Sequence, residues 1–190
     1  MKIAFLGWGS LIWDPRNLRI RKDWQEDGPV LPIEFKRYSK DGRMTLVICP
    51  GVQDVRTLWA EADFTDIDDA KENLRIRENI PNIQNIGYAS RAGCPYRCNA
   101  VPEVVTHVQS WVDEKKLDAV VWTDIPQNPD KFRQKTSMEM NEDNIITYLR
   151  NLEKRNDRIY ENAREYVEKA PEQIETMLRR RIRQELRWKC

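Results

Sequence analysis

Met1-Lys2-Ile3-Ala4-Phe5-Leu6-Gly7-Trp8-Gly9-Ser10-Leu11-Ile12-Trp13-Asp14-Pro15 is the stretch whose reading decides the fold. Ile3 to Leu6 is an unbroken apolar run of strand length, stopped by Gly7 and Gly9 with Ser10 directly after. Glycine admits backbone conformations closed to other residues, so successive N–H groups can turn toward one point and bind an anion or a carboxylate. A Gly-x-Gly after a strand also begins a dinucleotide-binding fingerprint. That fingerprint requires a third small residue where Ile12 stands, and a helix opening straight from the turn. Pro15 falls inside the would-be helix, where it removes a backbone bond and clashes, so this reading is rejected. A secretory leader is rejected too. Ile3 to Trp13 has the length of its apolar core, but Asp14, Arg16, Arg19, Arg21 and Lys22 follow it instead of a small-residue cleavage site. No other stretch is apolar enough to span a bilayer, and the expectation is a cytoplasmic protein with no membrane partner.

Outward from this turn, Arg16 to Gly28 is polar and reads as a loop. Val30 to Tyr38 alternates in strand fashion, Asp41-Gly42 marks a hairpin, and Met44 to Cys49 reads as a buried strand stopped by Pro50-Gly51. Arg56 to Ala62 alternates again. Three strands joined by tight turns, with the first, predict a mainly antiparallel sheet or barrel. Asp66 to Asn79 reads as a helix with Thr65 as its N-cap, ending before Pro81. Ile86 to Ala89 is a short strand, Pro102 to Lys116 an amphipathic helix, and Ala119 to Thr123 another buried strand. The fold class expected is therefore α+β, built on that mainly antiparallel sheet or barrel.

From Asn141 the pattern changes. Ile145, Leu149, Leu152, Asn156, Ile159, Ala163, Tyr166 and Ala170 recur at helical spacing, as one long helix or two joined near Asn156. Pro171 begins a last helix carrying Ile174, Leu178, Ile182 and Leu186 on one side. The division expected is an α+β body over residues 1–140 and a helical extension over residues 141–190. The extension's seam must be covered by the sheet or by a second subunit, so a homo-oligomer through these helices is one arrangement.

The 190 residues carry a formal charge of +1, which gives no global attraction to nucleic acid or membrane. Four cysteines (Cys49, Cys94, Cys98 and Cys190) without a leader read as reduced thiols. Cys94 and Cys98 are one residue too far apart for a CxxC motif, and His107 is the only histidine, so no metal site is expected. A basic run, Arg179-Arg180-Arg181-Ile182-Arg183, is the one candidate nucleic-acid contact. Glu172, Glu175 and Glu185 interrupt that surface, and nucleic acid is not the expected partner.

Among the acids, Glu78 stands out. Ile67, Ala70, Leu74 and Glu78 fall at spacings of three, four and four, which places the carboxylate on the apolar face of its helix. It also lies in the last turn, where the macrodipole disfavours negative charge. Burial and dipole both raise its pKa toward the range a general acid/base needs at neutral pH. The bland alternative is an ion pair with Arg75 or Arg77 at a frayed helix end.

Gly7-Trp8-Gly9-Ser10-Leu11-Ile12-Trp13 resembles the Tyr-Gly-Ser-Leu-Ile-Trp motif of the γ-glutamylcyclotransferase-like superfamily, in its ChaC-type branch. Phe35-Lys36-Arg37-Tyr38-Ser39, Cys49-Pro50-Gly51, and Leu74-Arg75-Ile76-Arg77-Glu78 with Ile86-Gly87-Tyr88 resemble further segments of that family, in the same order. The resemblance covers roughly residues 3–125. It implies the family's barrel-like mixed sheet, Glu78 as the catalytic acid/base, and substrate contacts at Gly7, Trp8, Gly9, Ser10, Leu11, Arg37 and Tyr88. It further implies that the α-amine of a γ-glutamyl compound attacks its own γ-carbonyl, releasing 5-oxoproline and an amine or amino acid. That chemistry calls for no metal and no cofactor. Trp8 replaces the motif tyrosine, and Lys40-Asp41-Gly42-Arg43 stands where glutathione-degrading members carry a His-Arg-Gly run. The Trp8 replacement motivates a second reading, a ligand-binding or regulatory module without turnover.

Overall fold

The opening apolar run lacks alternation because both of its faces are covered. In the computed structural model, which describes residues 1–92, 94–99 and 102–189, it forms β1 (Ile3–Gly7), buried along its whole length. Cys190, read above as a reduced thiol, lies outside the described residues. The elements that follow are β2 (Val30–Leu31), β3 (Ile33–Tyr38), β4 (Met44–Ile48), β5 (Val55–Arg56), β6 (Leu58–Glu61) and α1 (Ile67–Arg77). Next come β7 (Ile86–Ser90), β8 (Tyr96–Arg97), α2 (Pro102–Glu114) and β9 (Ala119–Thr123). Four helices complete the chain: α3 (Pro129–Thr136), α4 (Glu142–Arg155), α5 (Arg158–Glu168) and α6 (Met177–Leu186).

The main sheet has the order β6-β1-β9-β7-β8. β1 runs parallel to the central strand β9, and the other pairings are antiparallel. Period-two alternation sends Ile3, Phe5 and Val121 to the face covered by α1. Ala4, Leu6, Val120 and Trp122 go to the opposite face, into the larger core built with α2, the β3–β4 hairpin and the C-terminal helices.

The architecture is α+β, as expected, but among the described residues the strands do not close into a barrel. They form the main sheet and two separate ladders, β2–β5 and β3–β4. Two local features interrupt closure. Pro32 has no N–H to offer a ladder and separates β2 from β3, which the alternation had joined. Thr57 separates β5 from β6 because its N–H and hydroxyl both turn to the carbonyl of Pro29, at 3.1 and 2.7 Å.

Several boundaries move for similar reasons. Asp66, not Thr65, caps α1, accepting from the N–H groups of Asp68 and Asp69. The helix stops at Arg77 rather than Asn79, and Asn79 takes a positive φ of 52°. Asn156, with φ 48°, divides α4 from α5, the two-helix alternative of the sequence reading. α6 starts at Met177 behind the cap Thr176, not at Pro171. The sequence reading did not foresee α3.

The extension packs on the body through one continuous apolar core. Ile145, Leu149 and Leu152 are buried there, as the seam required. Polar contacts fix its placement. Tyr148 donates to the carbonyl of Gly42 at 2.7 Å, and Gln173 reaches the carbonyls of Glu26, Arg56 and Thr57. Glu34 on β3, 1% exposed, accepts from the Thr176 hydroxyl at 2.6 Å and from the Leu178 N–H at 3.1 Å. The carboxylate thereby serves the first turn of α6, whose N–H groups have no intrahelical acceptor. Leu149→Ala should cost about 2–5 kcal/mol, because the side chain is fully buried and its cavity cannot collapse freely. In urea titrations, tryptophan fluorescence and far-UV circular dichroism should then shift to a lower midpoint together; a loss confined to helical signal would contradict the shared core.

Candidate functional site

A cleft of about 420 Å³ opens where β1 ends. One part of its lining is the turn Trp8–Leu11, another the end of α1 from Glu78 to Pro81, and a third the β3–β4 hairpin. Asn85 just before β7, Thr123 at the end of β9, Ile125 beyond it, Lys131 of α3 and Tyr166 of α5 complete it.

The end of α1 shows how sequence places Glu78. The N–H of Asn79 bonds the carbonyl of Ile76 at 3.1 Å, and the N–H of Ile80 bonds that of Arg75 at 3.0 Å. This is a Schellman termination, with Asn79 in the left-handed region and Ile80 packed in the same core cluster as Leu74. The signature was present in the sequence as Asn79 followed by Ile80 and Pro81. It anchors Glu78 as the C-cap residue, lining the cleft with its side chain 22% exposed.

Arg77 connects this helix end to the opening turn. Its guanidinium is buried and donates to the carbonyl of Ser10 at 2.8 Å, the Ser10 Oγ at 3.2 Å and the carbonyl of Asp14. It also meets Glu78 Oε1 at 2.6 Å, so the ion pair considered for Glu78 exists, while Arg75 pairs with Glu72. Burial pushes the Glu78 carboxyl above its ordinary value; Arg77 is the largest opposing influence but does not cancel it.

Trp8 is buried, and its indole N–H points to the carbonyl of Leu46 at 3.4 Å, so its one donor ties the turn to β4. A hydroxyl reaches the turn from elsewhere. A Cβ on Gly9 would lie 2.6 Å from Tyr166 Oη, so only glycine admits the phenol this close. Tyr166 is held edge-on by the rings of Trp13 and Phe35, with the Arg43 guanidinium over its face. Burial first, then the Glu78 charge, push the phenol up to about 12, so it remains a donor at neutral pH. Sequence reading placed Tyr166 in the apolar seam; no local signal marks its hydroxyl as a cleft group.

Arg37 enters the cleft because the β3–β4 register shifts between Phe35 and Arg37. Such a bulge re-aims the strand, and Arg37 leaves the face on which Phe35 is buried. Of the residues expected at the site, Trp8, Gly9, Ser10, Leu11, Arg37 and Glu78 line one cleft. Gly7 and Tyr88 are not in its lining. Gly7 faces Ile12 and Trp24, and the Tyr88 ring lies under Lys71 of α1. His107 is exposed on α2, and Ser10 Oγ receives its bond from Arg77, not from a base.

The basic run of α6 is largely engaged within the chain. Arg179 is buried and donates to the carbonyls of Ala170, Pro171 and Ile174. Arg180 bonds Gln53, Arg181 pairs with Asp143 and Glu185, and Arg183 pairs with Glu175. Among the described residues no helix is long and apolar enough to cross a membrane, and no three His, Cys, Asp or Glu side chains group as metal ligands.

Arg77→Met should leave the Ser10 and Asp14 carbonyls without their donor and Glu78 without its partner. A loss of about 3–5 kcal/mol in chemical denaturation is expected, the range for breaking a buried pair; a change under about 1 kcal/mol would contradict the role given to Arg77. Compared with known families, with curated proteins and with solved structures, the chain finds no match.

Proposed function

We propose that this cleft is the active site of a γ-glutamyl cyclotransferase-type enzyme built on a γ-glutamylcyclotransferase-like fold. One observation carries the reading: Glu78 and the turn Trp8–Leu11, distant in sequence, line the same cleft. The turn holds the γ-glutamyl end of the substrate through backbone groups. Ionised Glu78 takes a proton from the α-ammonium, and the freed amine attacks the γ-carbonyl carbon. The carbonyl oxygen gathers negative charge, which the Tyr166 hydroxyl stabilises by hydrogen bonding. The new ring nitrogen gives up a second proton as the bond to the leaving nitrogen breaks. Glu78 passes both protons on, and the products are 5-oxoproline and an ammonium. Holding the folded conformer accounts for much of the acceleration, since attack is intramolecular.

A second reading, a ligand-binding module without turnover, is favoured by the 2.6 Å contact between Arg77 and Glu78, which holds the carboxylate away from a proton-shuttling role. Glu78→Gln separates the two. As an enzyme, the variant should lose at least about a hundredfold in kcat, because Gln cannot accept and return a proton. Ligand binding should persist in both cases. If wild type binds γ-glutamyl compounds, seen as thermal shifts, but releases no 5-oxoproline, the module reading holds.

The pH dependence has a defined sign. Glu78 holds its proton more tightly folded than unfolded, so ionisation destabilises the fold as pH rises from the ordinary carboxylate value through the folded one. Glu78→Gln escapes this loss, and its Tm relative to wild type should rise as the pH is raised from the ordinary carboxylate value of about 4.3 through the higher folded one. The kcat/KM of wild type should climb with pH on a limb displaced above the ordinary glutamate pKa of about 4.3. Tyr166→Phe should lower kcat by about a hundredfold with a smaller effect on KM, the pattern of a donor acting on developing charge; unchanged kcat would remove the hydroxyl from the mechanism.

A further inference from the structure

The cleft is charged unevenly, although the whole chain is nearly neutral at +1. Arg37, Lys40, Arg43 and Lys131 line it, against a single acid, Glu78. Arg43 is matched by Asp41 at 2.8 Å, and Glu78 is matched by the buried Arg77. Among the described residues no carboxylate pairs with Arg37, Lys40 or Lys131. These three cations are the unbalanced charge of the site.

They also share one side of it. Asn128, the residue before α3, is bonded to Tyr38 of β3 in both directions, each at 2.8 Å. Arg37 Nη1 donates to the carbonyl of Pro126 at 2.6 Å, which fixes its guanidinium against the same segment. Lys131 Nζ lies 3.4 Å from the carbonyl of Ser39, next to Lys40. β3, its hairpin and the start of α3 therefore present three cations together, on elements other than those that carry Glu78 and the opening turn. Carbonyls steady Arg37 and Lys131 but leave their charge uncompensated.

Like charges held together without counter-charge repel one another, and a ligand of opposite sign relieves that repulsion. A single carboxylate would still leave a surplus. Resting on the cyclotransferase reading, we infer that Arg37, Lys40 and Lys131 form a subsite for the amine half of the substrate, and that this half carries two or more negative charges. A phosphate ester and a dicarboxylate both satisfy the requirement; an uncharged or cationic amine does not.

Four γ-glutamyl compounds test this: the ethylamide, with an uncharged amine half; γ-glutamylglycine, with one charge; and γ-glutamylglutamate and γ-glutamylphosphoethanolamine, with two. At low salt kcat/KM should rise by about tenfold for each added charge, mostly through KM, as expected for charge-assisted hydrogen bonds. Added salt should compress the series. In Lys40→Gln/Lys131→Gln the advantage of two charges over none should shrink by about tenfold or more. The phosphate and dicarboxylate arms then identify the better acid. A flat series with good turnover overturns the subsite and leaves the cyclotransferase reading standing. If nothing turns over, binding of inorganic pyrophosphate, followed by tryptophan fluorescence, decides. Binding weakened about tenfold in the double variant upholds the anion subsite while the cyclotransferase reading falls. Absent or unaltered pyrophosphate binding in that case overturns the subsite as well.

Discussion

The buried guanidinium of Arg77 is the interaction on which the cleft depends. A charge removed from water is tolerated when most of its donors are matched. The two terminal nitrogens of Arg77 find partners on two chain segments, while its Nε has none among the described residues. Ser10 and Asp14 supply carbonyls from the turn after β1, while Glu78 supplies its carboxylate from the end of α1. The turn cannot move from the helix end without leaving a buried charge unpaired. One residue therefore sets the relative position of the opening turn and the acid at the end of α1. The same contact tempers Glu78: the cation favours ionisation, burial opposes it, and burial prevails.

The β3–β4 hairpin has a comparable role on the other side. It is a separate ladder, not a continuation of the main sheet, and so depends on neighbours for support. The C-terminal helices provide it. Glu34 receives the first turn of α6, Tyr148 closes on the hairpin tip at Gly42, and Phe35 and Arg43 enclose Tyr166. The positive φ of Gly42, 83°, makes that tip, and the α4–α5 pair covers it. An isolated two-stranded hairpin is marginal in water, so the extension belongs to the structure of the cleft and is not an appendage to it.

Where the information was local, the sequence carried it. The uninterrupted run Ile3–Leu6 announced a strand covered on both sides, and the three-four-four spacing from Ile67 to Glu78 announced which acid turns inward. The seam from Ile145 onward announced burial of the extension. Features settled by distant partners were not legible. Strand alternation continued across Thr57, whereas the ladder breaks there because that residue's donors turn to Pro29. The break at Pro32, which has no N–H, is a local signal that the alternation overrode. α3 is polar apart from Phe132, whose burial depends on Tyr38 and Tyr148, and so offered almost no stripe. The placement of Tyr88 against α1 rather than in the cleft follows from the sheet's face alternation, which required the strand order.

Trp8 and Tyr166 have to be read as a pair. Taken alone, an indole at the opening turn removes a hydroxyl from the place where the resemblance leads one to expect it. In the fold, the indole N–H is directed into β4, and the space over Gly9 is filled by the hydroxyl of a residue in α5. A tyrosine at position 8 would have no indole donor for the Leu46 carbonyl, and a side chain at position 9 would expel the phenol. The turn, the glycine and the C-terminal helix thus constrain one another. The helical extension, for which the family resemblance offered no counterpart, brings the Tyr166 hydroxyl against the turn at Gly9. The lining of the cleft cannot be assembled from the first 140 residues alone, because Tyr166 is contributed by the last fifty.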